Sequence, residues 1–234
     1  MQSMAARMRT LPFLYSKYMK RTLLINIISL VLACSHIYGT AEASMTSARA
    51  LRLAAMQAQN PTDIAAIEAY ARQLDAHAKR NAGGGRLFAD IAGYTDGSAP
   101  RWQEFRSRRA LERAEVYSAA TVWTQPASDA LLADFTLSSP SGDWAHYANY
   151  YYRGDGTLAK LHSELRTFMG DLIVIRDRFY DTRGKLLQEK TRYLDLNTRK
   201  PKKVEEGSFQ DIPLELYAKT SDLPFHSLLK RRGQ

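Results

Sequence analysis

The stretch from Trp144 to Asp195 reads WAHYANYYYRGDGTLAKLHSELRTFMGDLIVIRDRFYDTRGKLLQEKTRYLD, and it decides the fold. Runs over 144–153, 157–168, 172–181 and 185–196 are rich in β-branched and aromatic residues and alternate apolar with polar, which is the pattern of half-buried strands. The turns between them are well specified. Asp155-Gly156 suits a two-residue hairpin, because such a turn needs positive φ. Asp181-Thr182-Arg183-Gly184 fits a type I turn closed by a left-handed glycine. Tyr152, Gly156 and Leu158 recur as Tyr180, Gly184 and Leu186 at a spacing of 28. Two copies do not make a repeat protein. They do describe an up-and-down antiparallel meander.

Register follows from loop length. A three-residue loop at Met169-Gly170-Asp171 places Leu165 opposite Ile175 and Leu161 opposite Phe179. It places Glu164 opposite Arg176 and His162 opposite Arg178 on the other face. A slip of one residue would set apolar against charged side chains, which a sheet with one buried face does not tolerate. The same reasoning across Asp181–Gly184 pairs Phe179 with Leu187 and Ile173 with Tyr193. One face of the sheet is then apolar and the other charged.

Upstream, 116–123 and 131–137 read as two further strands around the turn residues Gln125-Pro126-Ala127-Ser128-Asp129. Before Glu115 the pattern is helical. Ser47–Gln59 is rich in good helix formers. After the break at Asn60-Pro61-Thr62-Asp63, where Asn or Thr can cap, Ile64, Ile67, Ala71, Leu74 and Ala78 form one apolar stripe. Gly83-Gly84-Gly85 ends that helix, residues 86–100 look irregular, and a third helix is expected over 101–114 with Trp102 and Phe105 as anchors. The glycine run lacks the G-x-x-x-x-G-K-S/T spacing of a phosphate loop and reads as a linker. Ile212–Ala218 is a candidate last strand. The expected class is α+β: N-terminal helices packed on one face of an antiparallel, meander-type sheet of five to seven strands. Residues 44–114 form the helical part and 115–234 the sheet part of one compact domain.

Residues 1–43 concern address. Met19-Lys20-Arg21 opens a basic patch, Leu23–Ala33 is an apolar run, and Ala41-Glu42-Ala43 is a small-residue cleavage site before Ser44. This is the three-part pattern of a secretory signal peptide, with Met19 as an alternative start. The run is shorter than the roughly 20 apolar residues that span a bilayer. The lone cysteine, Cys34, ends that run and gives a competing reading as a lipidation site, although Val31-Leu32 departs from the usual lipobox. An exported protein, periplasmic or extracellular, is expected, with no transmembrane span in its mature form.

The chain carries 33 Lys+Arg against 24 Asp+Glu. The leader holds five of those bases and one acid, leaving 28 against 23 and a mature charge of about +5. That mild excess suits an anionic envelope polymer or lipid surface. Export and the lack of a nucleic-acid motif argue against nucleic acid.

The charged sheet face holds the candidate site. Tyr147, Tyr151, Lys160, Arg166, Arg176, Arg178 and Arg192 form the expected ligand-binding surface, with Asn149, Arg153 and Lys190 nearby. Guanidinium forks match phosphate or carboxylate, and tyrosine rings offer stacking. A solvated sheet face would carry the same residue types. His162 and Glu164, two apart on one strand, are the weak candidates for acid–base work in a hydrolase. His146 reads as a hydrogen-bonded core histidine. His77, His146, His162 and His226 lack metal-ligand spacing, so no metal or cofactor is expected. No G-x-S-x-G, S-x-x-K or cysteine nucleophile is present in the mature chain. Arg153-Gly154-Asp155 spells an integrin-binding tripeptide by chance. The Ser139–Asp195 segment, with Ser-Gly-Asp-Trp, Arg-Gly-Asp-Gly-Thr-Leu and Phe-Tyr-Asp-Thr-Arg-Gly-Lys-Leu, resembles the hairpin-rich half of exported bacterial proteins; that resemblance implies no activity. The expected function is a non-catalytic envelope module with a basic sheet face, the alternative a hydrolase acting on an envelope polymer.

Overall fold

A computed structural model describes residues 61–93, 99–124, 130–204 and 211–230. The leader, Cys34, the helix expected over 47–59 and the turn at 125–129 lie outside these residues. The elements are α1 (Ile64–Arg80), β1 (Arg86–Asp90), β2 (Trp102–Phe105), α2 (Arg108–Glu112), β3 (Ser118–Thr124), β4 (Ala130–Ser138), β5 (Trp144–Tyr152), β6 (Leu158–Thr167), β7 (Leu172–Tyr180), β8 (Leu186–Asp195), a 3₁₀ turn (Thr220–Asp222) and α3 (His226–Lys230). The strands form one antiparallel sheet of eight in the order β2-β1-β3-β4-β5-β6-β7-β8. The strands from β3 onward follow chain order, as a meander should.

Two elements differ from expectation. Residues 86–90 were expected to be irregular and 101–114 helical, yet they contribute β1 and β2, with only the five-residue α2 remaining as helix. The sheet therefore has eight strands rather than five to seven, and two of them fall inside the segment expected to be helical. Trp102 and Phe105, three residues apart, suit a helix face. Trp102 also packs edge-on against Phe135 at 6.0 Å and Phe225 at 5.1 Å, and this long-range aromatic packing selects the strand.

The turns repeat as the spacing of 28 implies. Gly156 donates to Arg153 O (3.0 Å) and Gly184 to Asp181 O (3.1 Å), with φ of +80° and +81°. Arg153 and Asp181 in turn donate to Thr157 O and Lys185 O, so both hairpins have the same three-residue loop. Asp155-Gly156 is thus not a two-residue turn: of that pair only glycine takes positive φ. A bulge follows each loop. Tyr152 pairs with Leu158 but Tyr151 with Lys160, leaving Ala159 extra. Tyr180 pairs with Leu186 but Phe179 with Gln188, leaving Leu187 extra.

The Leu187 bulge and a four-residue loop at Phe168–Asp171 overturn the expected register, whereas the Ala159 bulge offsets the longer loop before it. Leu161 lies opposite Arg178 and Leu165 opposite Val174, while Lys160 faces Phe179 and His162 faces Asp177. Beyond Asp181–Gly184, Ile173 pairs with Leu194 and Val174 with Tyr193. This is the one-residue slip that the half-buried-sheet argument forbade. It is tolerated because both faces are covered. One face carries α1; the other carries the C-terminal strap, residues 211–230.

On the helix face, Asp63 caps α1 by accepting from Ala66 N (2.9 Å), taking the place expected of Asn60 or Thr62. Ile67 packs with Ala159 and Phe179. Tyr70, Ala71, Leu74 and Ala78 pack with Leu131, Leu132 and Tyr151. The stripe read from sequence is the buried one, and of the residues expected on the apolar sheet face it meets Phe179. On the strap face, Phe225 stacks on Phe88 at 4.4 Å, amid Phe135, Tyr150, Tyr152, Leu158 and Leu161. Leu165, Leu172 and Val174 form a further cluster against Ile212. Residues 212–218 are extended across the sheet rather than forming a ladder strand. Tyr150 and Tyr152 hydroxyls donate to Glu215 O and Tyr217 O, and Leu158 N to Ala218 O.

Candidate functional site

Directly paired residues share a face of an antiparallel sheet. The slipped register therefore divides the expected ligand-binding surface. Tyr147, Tyr151, Lys160, Arg166 and Arg192 stay on the helix face. Arg176 and Arg178 do not: they pair with Ser163 and Leu161, on the strap face, and form ion pairs with Asp211 and with Glu189 (2.7 Å). The expected cluster of Arg166, Arg176, Arg178 and Arg192 is therefore not assembled. Arg153 is also withdrawn from the surface. It is 0% exposed and donates to Pro61 O (2.8 Å), Leu158 O (2.7 Å) and Tyr180 O, tying the start of α1 to both repeated hairpins. The tripeptide it begins has no accessible guanidinium.

One row of the helix face crosses all eight strands: Phe105, Leu87, Thr121, Asp134, Asn149, His162, Asp177 and Lys190 are paired each to the next. At the usual inter-strand spacing it runs about 34 Å. The row above it, through Leu132, Tyr151, Lys160 and Phe179, is covered by α1, so the polar row lies beside the helix. Two helix acids reach down to the sheet. Asp75 accepts from the Tyr151 hydroxyl at 2.9 Å, and Glu68 pairs with Lys190 at 3.3 Å.

The electrostatics differ along the row. Asp177 accepts from His162 Nδ1 and Lys160 Nζ, both at 2.9 Å. Burial works to raise its carboxyl, but these hydrogen bonds and the lysine charge outweigh it and hold Asp177 well below the usual carboxylate range. Asp134 is the opposite case. Burial, helped by the nearby Asp75 charge and opposed by Arg108, pushes it up to about 6. Burial also pushes the Tyr151 phenol up, and Asp75 adds to that. A histidine oriented by a carboxylate and a second carboxyl that titrates near 6 are groups able to move protons. Asp134 carried no sequence signal beyond its place in a strand; its position in the row depends on strand pairing.

His162 does not pair with Glu164. Glu164 accepts from Arg166 Nε (2.6 Å) and lies 3.6 Å from Arg199, so the expected acid–base couple is replaced by His162–Asp177. The Arg166 guanidinium also sits 4.9 Å from the Tyr147 ring centroid. Arg192 shares a row with Glu164 through Ile175; it is exposed and forms no ion pair among the described residues. Glu164 is thus one acid beside Arg166, Arg192 and Arg199. Arg199 stands in the run 197–203, which carries Lys200, Lys202 and Lys203 as well, and only the fold brings it to Glu164.

His146 lies on the strap face between Leu137 and Leu165, 2% exposed. It is a core histidine as expected, but its Nδ1 has no hydrogen-bond partner among the described residues. Burial pushes its pKa down to about 4. Among the described residues no cluster of histidine, cysteine, aspartate and glutamate is placed to hold a metal ion, and no helix is long and apolar enough to cross a membrane. No family model, curated protein or solved structure matches the chain.

Proposed function

We propose that this protein is exported by its leader, works as a non-catalytic envelope or periplasmic module, and binds an anionic partner at the β6–β8 corner of the helix face. The observation that carries the reading is the charge imbalance around Glu164. One half-buried carboxylate stands beside Arg166, Arg199 and the exposed Arg192, with Tyr147 flanking them. Guanidinium groups in excess over their acids attract phosphate, sulfate or carboxylate from solution. Arg192→Glu with Arg199→Glu should weaken retention on dextran sulfate and on phosphatidylglycerol vesicles, and flatten the salt dependence of what remains. Unchanged retention at low salt would refute the site. Mass spectrometry of exported protein should find Ser44 at the N-terminus; an acylated Cys34 would support the lipid-anchored alternative.

A second reading, hydrolysis of an envelope polymer, is favoured by the His162–Asp177 contact. A base oriented by a carboxylate is half of a nucleophile-activating arrangement. Retained hydrolysis in His162→Ala would remove it.

A further inference from the structure

The glycine run also lines a cleft. Residues 82–87 and 104–108 enclose a cleft of about 430 Å³, within the range of small-ligand sites. Its lining includes Gly83, Gly84 and Gly85, which lead into β1, and Arg106, Ser107 and Arg108, which follow β2. Ser107 has extended backbone, φ −155° and ψ 154°, so the side chains before and after it project to the same side. Arg106 and Arg108 are exposed, and neither forms an ion pair among the described residues. Glu104, the one acid lining the cleft, is already bound by the fork of Arg86 at 3.0 and 2.9 Å. The cleft therefore keeps two exposed guanidinium groups free of ion pairs, of which Arg108 also lends its charge to Asp134.

The glycines differ in what the fold asks of them. A Cβ on Gly85 would lie 2.6 Å from the Thr121 methyl, so sheet packing explains that glycine. A Cβ on Gly83 would meet nothing within 4 Å, and its φ is not in the left-handed region. Packing does not require Gly83 to be glycine. Its bare backbone leaves the cleft wall open to close approach by a ligand.

We propose that this cleft binds a phosphate ester, with Arg106 and Arg108 as the charged groups and the Gly83–Gly85 backbone as open lining. Two guanidinium forks and the Ser107 hydroxyl offer more donors than the two oxygens of a carboxylate can use. The Ser107 oxygen accepts from Ala110 N at 3.2 Å, which leaves its own proton to give. The three terminal oxygens of a phosphate monoester match that donor set. This site is formed by the β1–β2 end of the sheet and is independent of the Arg166–Arg192–Arg199 corner.

The test is calorimetric titration of the full chain at low salt with inorganic phosphate, glycerol phosphate and acetate. Both phosphates should bind saturably and acetate at least about tenfold more weakly. Arg106→Glu with Arg108→Glu should weaken phosphate binding by about tenfold or more, whereas the charge-matched Arg183→Glu with Lys185→Glu should leave it within about twofold. Gly83→Val should weaken binding at an unchanged melting temperature, which separates occlusion from unfolding. Arg192→Glu with Arg199→Glu should have no effect on this binding. Cosedimentation with phosphatidic acid vesicles but not phosphatidylcholine would assign the ester to a lipid headgroup; binding of glycerol phosphate alone would assign it to a soluble ester. The proposal is overturned by a lack of saturable phosphate binding, by acetate matching phosphate, or by equal losses in both charge-reversed pairs.

Discussion

Asp134→Asn should stabilise the protein at neutral pH and not below pH 4. Asp134 sits partly buried in the middle of β4, and no hydrogen bond to its carboxylate is found among the described residues. Its pKa moves from an ordinary 3.8 to about 6, chiefly through burial. A raised folded-state pKa means that the native state holds the proton more tightly than the unfolded chain. Stability is therefore greatest below the unfolded value near 4 and declines as pH rises towards 6. A shift of about two units corresponds to about 3 kcal/mol at most, since each unit is worth about 1.4. Asparagine has the same shape and no charge, so it should recover about 1–3 kcal/mol at pH 7.5 and close to nothing at pH 3.5. Arg108 opposes the shift, so Arg108→Gln should deepen the neutral-pH penalty and Asp134→Asn should cancel that added loss. Urea unfolding of wild type, both single variants and the double variant from pH 3.5 to 8 would measure this directly. A wild-type-to-Asn difference independent of pH, or a net loss at pH 7.5, would refute the reasoning.

His146 predicts sensitivity at the acid end. Its pKa is lowered to about 4, so its contribution is complete above the unfolded value near 6.5 and is lost as pH falls towards 4. His146→Leu should remove that part of the acid lability, read as a flatter pH–stability curve. Ile67→Ala, at a side chain with 0% exposure, should cost about 2–5 kcal/mol in urea unfolding. A loss below about 1 kcal/mol would mean that α1 is not docked on Ala159 and Phe179. Arg153→Lys keeps the charge but loses the fork that reaches Pro61, Leu158 and Tyr180. Orphaned buried carbonyls should make it about 2–5 kcal/mol less stable, and an unchanged melting temperature would show that the guanidinium does not clamp the hairpins.

The parts of this protein legible in its sequence are those fixed by neighbours along the chain. The bounds of β5 to β8 fall within one residue of the alternating runs, because pleat and turn chemistry act over a few residues. The left-handed Gly156 and Gly184 and the stripe on α1 are local for the same reason. Register is not local. One residue more in the Phe168–Asp171 loop and a single bulge at Leu187 change the parity of the pairing, and parity decides which face each side chain meets. That change moved Arg176 and Arg178 away from Arg166 and Arg192, and brought His162 to Asp177 in place of Glu164. The conversion of 86–90 and 102–105 into strands also depended on distant partners, Phe135 and Phe225. Residues 211–230 decided the rest: by covering the second face, the strap allows apolar and charged side chains to share each side of the sheet. Alternation in a sequence states that two faces differ, but only the packed chain determines what covers each of them.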